Sequence, residues 1–113
     1  MNILFIHQNF PAQWKNLAPE LARRGHDVTA LFPRRDVPSS WKQVDLKLYD
    51  IERSNSKDIH PWILDFESKI VRAEACYRKA GDLAKKGYQP DIIIAHPGRG
   101  ESLFLKHIWP KSR

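Results

Sequence analysis

The chain has 113 residues, of which 42% are hydrophobic and 28% are charged, and its formal net charge is +6. This length suits one domain with a single core, and the hydrophobic content excludes a disordered chain. The only cysteine, Cys76, excludes an internal disulfide and agrees with a reducing, cytoplasmic setting. The basic charge favours an anionic partner, a class that includes phosphorylated ligands, acidic lipid head groups and nucleic acid.

The first part of the chain predicts the opening strand and helix of a layered α/β domain. Residues 2–7 form a near-continuous apolar run, which is typical of a strand buried on both faces of a parallel sheet. The run is too short for a signal peptide or a membrane span. A helix is predicted from Pro11, with a kink or a restart near Ala18, because Pro19 removes a backbone hydrogen bond.

Two more strands follow this helix. Gly25 is placed to end the helix, and residues 27–32 are rich in β-formers and predict the second strand. Residues 33–42 are predicted as a loop. Alternating apolar residues over 44–48 predict a half-buried third strand, which we expect at the edge of the sheet.

The longest predicted element is a helix that begins at Pro61 and ends before Gly87. Its apolar residues recur at spacings of three and four, close to a heptad repeat. They are Ile63, Phe66, Ile70, Ala73, Tyr77, Ala80 and Ala84. Cys76 lies beside this stripe and is interpreted as a packed thiol, because no group that would activate a nucleophile is visible.

A fourth strand (92–95), a loop (96–100) and a helix (101–108) complete the pattern. The alternation predicts an α/β fold, a Rossmann-like parallel sheet of about four strands with flanking helices, in a single domain over residues 1–113. The first and fourth strands are the most apolar and are expected at the centre, in the strand order 3-2-1-4. Ligands of such sheets bind at the carboxyl ends of the strands where the order reverses, here between strands one and four.

Two histidines leave their strands at this point. His7 follows the first strand and His96 follows the fourth, so we expect them to approach each other at the crevice mouth. Gln8, Asn9 and Gln13 add neutral hydrogen-bonding groups that suit a hydroxyl-rich ligand. The alternative for each histidine is a polar cap that only binds the backbone, and the residues alone leave both roles open.

The second loop adds two glycines and a cation. Gly98 and Gly100 allow close approach of the backbone to a ligand, and Arg99 supplies a fixed positive charge. A tight strand-to-helix turn would need the same glycines, so this alternative also stays open.

The sequence lacks the motifs that are typical of several kinds of site. There is no Gly-x-Gly-x-x-Gly after the first strand, no Walker lysine loop and no nucleophile elbow, which argues against a usual dinucleotide site and a P-loop enzyme. No two histidines have a spacing typical of a metal site, so no metal is predicted. The four tryptophans are scattered over different elements, which argues against a stacking platform for nucleic acid.

Two loops and one turn resemble a known family. Residues 2–11 (Asn-Ile-Leu-Phe-Ile-His-Gln-Asn-Phe-Pro) and residues 17–29, which end in Arg-Gly-His-Asp-Val-Thr, are similar to the amino-terminal domain of family 4 glycosyltransferases. Residues 96–106, which begin His-Pro-Gly-Arg-Gly-Glu, and the following Trp109 and Pro110 strengthen the resemblance to one bacterial branch. The resemblance covers the whole chain.

The resemblance implies a GT-B fold, in which two Rossmann-like domains face each other across a cleft. Such enzymes transfer a sugar from a nucleotide-sugar donor to an acceptor, here a carbohydrate or a lipid-linked molecule, with retention and with no essential metal or cofactor. The amino-terminal domain shapes the acceptor site. The carboxy-terminal domain binds the donor and carries the family's paired glutamates.

The resemblance also assigns site residues by position. The acceptor side would be lined by His7, Gln8, Asn9, Phe10, Gln13, Gly98, Arg99 and Gly100. His96 would face the transferred sugar as the catalytic residue. Arg99 stands where this branch is expected to carry an aromatic residue.

The resemblance further implies a fragment, because the chain stops before a complete amino-terminal domain and has no donor domain. We therefore expect the chain alone to be inactive. The fourth strand would keep an unpaired edge unless another chain or the tail covers it, and we expect a homodimer through this edge.

Other classes of function remain open. One is a non-catalytic α/β module that binds an anionic ligand or self-associates. Another is attachment through the +6 charge to an acidic membrane surface, peripheral at the inner face of the membrane, or to nucleic acid.

Overall fold

The computed structural model describes residues 1–113 as a five-stranded sheet with helices on both faces. The strands are β1 (Asn2–Ile6), β2 (Asp27–Pro33), β3 (Ser40–Trp41), β4 (Val44–Tyr49) and β5 (Ile92–Ala95). The α-helices are α1 (Leu17–Arg23), α2 (Leu64–Lys85) and α3 (Leu105–Ile108), and two 3-10 helices cover Ala12–Trp14 and Pro61–Ile63. α3 is shorter than predicted, because residues 101–104 form turns. None of these helices is both long enough and apolar enough to cross a membrane.

The predicted α/β fold is confirmed, with two corrections to the sheet. The order is β3-β4-β2-β1-β5, in which β4, β2, β1 and β5 run parallel. β3 pairs antiparallel with β4 and takes the edge that was predicted for the third strand. The turn between them uses Lys42 and Gln43 at φ 48° and 69°, the left-handed conformations that a two-residue hairpin turn needs. β5, the fourth predicted strand, lies at the opposite edge and not at the centre.

Pro19 shapes the first helix as expected. Residues Ala12–Trp14 form a 3-10 turn, and α1 begins only at Leu17, so Pro19 lies in the first turn of the helix. Amide groups in a first turn have no partner within the helix, so proline costs little there. Gly25, at φ 95°, ends the helix in the left-handed conformation.

Helix α2 is longer than the strands on which it packs. Its 22 residues span about 33 Å, whereas the parallel strands have only 4–7 residues and span about 13–23 Å. Because α2 leads from the carboxyl end of β4 to the amino end of β5, its first turns extend past the carboxyl edge of the sheet. The predicted apolar stripe is therefore buried at Ala73 and Ala80. The prediction is wrong at Ile63 and Phe66, which are 51% and 64% exposed.

Polar contacts hold the part of α2 and its 3-10 start that extends beyond the sheet, residues 61–70, which we call the overhang. The side-chain amide of Asn55 donates to the hydroxyl of Ser68 at 3.0 Å. The backbone N–H and the hydroxyl of Ser56 both donate to the Glu67 carboxylate at 2.6 Å. The loop after β4 is thus bound to the overhang by hydrogen bonds.

Each face of the sheet has its own hydrophobic core. The α1 face includes Ile3, Phe5, Phe10, Trp14, Ala18, Val28, Phe32 and Val44. The α2 and α3 face includes Leu4, Ile6, Leu31, Tyr49, Cys76, Ala80, Leu105 and Trp109. Cys76 is fully buried, which confirms the packed thiol, and burial raises its pKa.

The C-terminal tail pairs with the free edge of β5. The Ile93 N–H donates to the Arg113 carbonyl at 2.8 Å, and the Arg113 N–H donates to the Asp91 carbonyl at 3.0 Å. The tail is one of the two covers that the sequence predicts for this edge. It leaves less unpaired backbone for the expected edge-to-edge homodimer.

Candidate functional site

His7 and His96 meet at the carboxyl edge of the sheet. Each follows one of two adjacent parallel strands, β1 and β5, and their ring centroids lie 5.2 Å apart with the ring planes at 85°. Their predicted proximity is confirmed. The pair lies at the strand ends where ligands of doubly wound sheets bind.

His7 is held in one tautomer by its surroundings. Its side chain is buried, its Nδ1 accepts a hydrogen bond from the Asn9 N–H at 2.8 Å, and its ring packs edge-on against Trp14 at 5.4 Å. The proton of the neutral ring must therefore be on Nε2. Burial first, and then the nearby His96 and Arg99, lower the pKa of His7 below its ordinary value.

His96 takes the opposite tautomer. Its Nδ1 lies 2.8 Å from the Pro97 carbonyl oxygen, which can only accept, so Nδ1 carries the proton in the neutral ring. The neutral pair thus has one ring N–H that can donate, on His7, and one ring nitrogen that can accept, on His96. Both rings also bind the backbone, as the polar-cap alternative predicts.

The remaining residues of the first loop divide into two groups. Asn9 and Gln13 are exposed, and Gln8 is half-buried with its Oε1 buried and without a hydrogen-bond partner. Phe10, by contrast, lies in the core, where it stacks on Phe32 at 5.8 Å with the ring planes at 17°. The side chain of Phe10 therefore anchors the loop from below, and its backbone carbonyl accepts a hydrogen bond from the Arg35 guanidinium.

The second loop is pressed against α2. Gly100 has φ 95°, and a Cβ there would overlap the Lys69 carbonyl oxygen and lie 2.9 Å from its carbonyl carbon. The Arg99 carbonyl accepts a hydrogen bond from Nε of Arg72 at 2.9 Å. Gly100 therefore serves close packing of the loop on the helix. Gly98, at φ 79°, has no neighbour within 4 Å of a Cβ, so its backbone stays open to a ligand.

A buried acid next to this loop was missed by the sequence analysis. Glu101 is 3% exposed, and its Oε1 has no hydrogen-bond partner, nor has the buried Tyr49 hydroxyl. Burial raises the pKa of both groups, and the nearby Arg72 and Arg99 oppose this for Glu101. The sequence feature that could have indicated this buried acid is the motif His-Pro-Gly-Arg-Gly-Glu, which ends in Glu101. We interpreted Glu101 only as the start of a helix.

His7 is expected to titrate below pH 6.5, its ordinary value, because burial and the charge of His96 and Arg99 all disfavour the imidazolium. The unfolded chain binds this proton more readily, so stability from His7 is present above pH 6.5 and is lost as the pH falls through its folded-state pKa. NMR titration of the ring protons measures this pKa directly. A value at or above 6.5 would contradict the buried, neutral His7.

Comparison with protein families gives one match. The model of the glycosyl transferase family 4 group matches residues 24–113, which is more than half of the chain. The matched part contains the second loop, 96–100, and leaves the first loop, 7–13, outside. No curated protein and no solved structure matches the chain. The chain therefore belongs to the glycosyl transferase family 4 group.

Proposed function

We propose that this chain is the acceptor-side part of a retaining glycosyltransferase that uses a nucleotide-sugar donor. The observation that carries the proposal is the contact between His7 and His96, with ring centroids 5.2 Å apart, at the strand ends where ligands of such sheets bind. Membership of the glycosyl transferase family 4 group supports sugar transfer as the chemistry.

The hydrogen-bonding groups of the site fit a sugar. The His7 Nε2–H donates and the His96 Nε2 accepts, so one hydroxyl group can satisfy both rings. Gln8, Asn9 and Gln13 extend this neutral surface. In this proposal His96 contacts the transferred sugar, and Arg99, whose charge reaches His7, lines the acceptor side.

In this proposal the residues of the chain line the acceptor side of the site. We infer that the chain alone binds acceptor sugars but does not transfer sugar. The second candidate is a non-catalytic module that self-associates, and the exposed apolar residues of the overhang favour it.

Titration of the ¹⁵N-labelled chain with methyl glycosides of common hexoses tests the proposal. We expect chemical-shift changes in the His7–Gln13 and His96–Gly100 loops, because the neutral donor–acceptor pair suits a hydroxyl. His96→Ala should weaken binding at least tenfold, since it removes the acceptor, whereas His107→Ala, an exposed residue of α3, should leave binding unchanged. Shifts that map to another surface, or no response to any glycoside, would refute the proposal.

A further inference from the structure

A group of buried polar side chains lies beneath the second loop. Glu101 and Tyr49 are 3% and 1% exposed, and neither the Glu101 Oε1 nor the Tyr49 hydroxyl has a hydrogen-bond partner. Burial, and then the charge of Glu101, raise the pKa of both the Tyr49 hydroxyl and the Cys76 thiol, so the three groups lie close together. A buried carboxyl is costly unless a charge or a hydrogen bond compensates it, so Glu101 needs a role beyond packing.

Arg72 is the charged neighbour on α2 that compensates Glu101. Its side chain is half-buried and forms none of the ion pairs of the chain. Burial raises the pKa of Glu101, whereas its own backbone N–H and then Arg72 and Arg99 lower it. The Arg72 guanidinium is therefore free of other acids and near the buried carboxyl.

Arg72 also binds the backbone of the second loop. Its Nε donates to the Arg99 carbonyl at 2.9 Å, and one turn earlier on α2 the Lys69 carbonyl lies against Gly100. Helix α2 thus holds two consecutive loop residues, one by a hydrogen bond and one by close packing. A planar guanidinium donates in several directions from one rigid group, so Arg72 can bind the Arg99 carbonyl and face Glu101 at the same time.

We propose that Glu101 and Arg72 are a positioning pair that fixes the second loop and, through it, His96. The Glu101 carboxylate orients the Arg72 guanidinium, which in turn holds the Arg99 carbonyl. Two residues earlier in the loop, the Pro97 carbonyl lies 2.8 Å from the His96 Nδ1, so a rotation of the loop backbone would turn the His96 ring. The effect of the pair on ligand binding rests on the proposed function, whereas its effect on the loop does not.

Arg72→Met and Glu101→Gln test the effect on the loop, because each keeps most of the side-chain volume and removes one charge. We expect the NMR chemical shifts of residues 96–98 and of the His96 ring to change in both variants, while those of α1, on the opposite face of the sheet, stay as in the wild type. Arg78→Met is the matched control, since Arg78 lies on the same helix but pairs with Glu74 at 3.4 Å. It should leave the loop unchanged.

Shifts of residues 96–98 that stay as in the wild type in either variant would overturn the pair. Arg72 is only half-buried, so Arg72→Met tests the loop even where Glu101→Gln destabilises the fold.

Titration of the same variants with methyl glycosides measures the effect on the candidate site. Each variant should weaken binding about tenfold, the size expected for one hydrogen bond to a charged group. The double variant should be no weaker than the weaker single variant, because both residues act through one contact. Losses that multiply would show independent roles and overturn the pair. If the loop shifts respond but the wild type binds no glycoside, the proposed function fails and the positioning of His96 stands.

The pH dependence of binding separates positioning from general support of the fold. The titratable and charged groups that face Glu101 are Tyr49 from β4, Arg72 and Cys76 from α2, and Arg99 from the loop. Burial raises the pKa of Glu101 above its ordinary value of 4.5, and protonation removes the charge that orients Arg72. The ratio of wild-type to Glu101→Gln affinity should therefore fall towards one as the pH decreases through this pKa. Protonation of His7 weakens both proteins alike and cancels in the ratio. A ratio that does not change with pH would overturn the role of the Glu101 charge.

Discussion

Replacing Gly100 with alanine is expected to lower the free energy of unfolding by about 2–4 kcal/mol. Two costs combine at this position. The backbone has φ 95°, which side chains disfavour, and the new Cβ would overlap the Lys69 carbonyl group. That group belongs to the backbone of α2 and cannot rotate away, so the loop or the helix must shift.

Gly98→Ala is the matched control for this change. Gly98 also has a positive φ, 79°, but a Cβ there meets no atom within 4 Å. Its replacement should cost only the conformational penalty of about 1–2 kcal/mol. Urea denaturation followed by circular dichroism measures both values, and equal losses for the two variants would show that Gly100 is not in close contact with α2.

Phe10→Ala should lower the free energy of unfolding by about 3–5 kcal/mol, because it empties a well-packed core position. Phe10 is 2% exposed and lies between Phe32 and Trp41, with ring centroids 5.8 Å from each. Its loss also removes the support beneath His7–Asn9, so glycoside binding should weaken together with stability. Thermal and urea unfolding measure the first effect, and the glycoside titration measures the second.

Phe10→Leu separates the packing role from a direct ligand contact. Leucine keeps most of the buried volume, so this variant should retain more stability than Phe10→Ala, with glycoside binding close to that of the wild type. If Phe10 faced the ligand, both variants would change stability by less than about 0.5 kcal/mol, while both would bind glycosides poorly.

Local patterns in the sequence were sufficient to predict the parallel strands of the sheet. The apolar run of β1 and the alternation in β4 depend on neighbours two residues away, so they are visible in the sequence. β3 was missed because its turn is made by Lys42 and Gln43 at positive φ. Hairpin turns of this kind are usually marked by asparagine or glycine, and neither is present here.

The prediction that the apolar stripe of α2 is buried along its whole length was wrong for a different reason. Periodicity shows which face of a helix is apolar, but it does not show how far the neighbouring sheet extends. Ala73 and Ala80 lie above the strands and are buried, whereas Phe66 has the same spacing and lies beyond the sheet edge. Burial at the end of a long helix depends on tertiary geometry that one segment does not encode.

The candidate site could be predicted only in part. The contact between His7 and His96 follows from topology, because each residue ends one of two adjacent parallel strands. The burial of Phe10 and Glu101 does not follow, since an aromatic or an acid in a loop is compatible with either exposure or burial. Only the packing of α1 and α2 on opposite faces of the sheet decides between them.

The hydrogen bonds between the loop after β4 and the overhang have a consequence for how the molecule opens. Ser56 and Asn55 hold residues 67 and 68 by polar contacts at the surface, while β1 and β2 lie in the two cores. The first turn of α2, before Lys69, can therefore unwind at a low free energy without disturbing the sheet. Amide hydrogens of residues 64–68 then exchange with solvent through this local opening, whereas those of β1 exchange only when the whole domain unfolds.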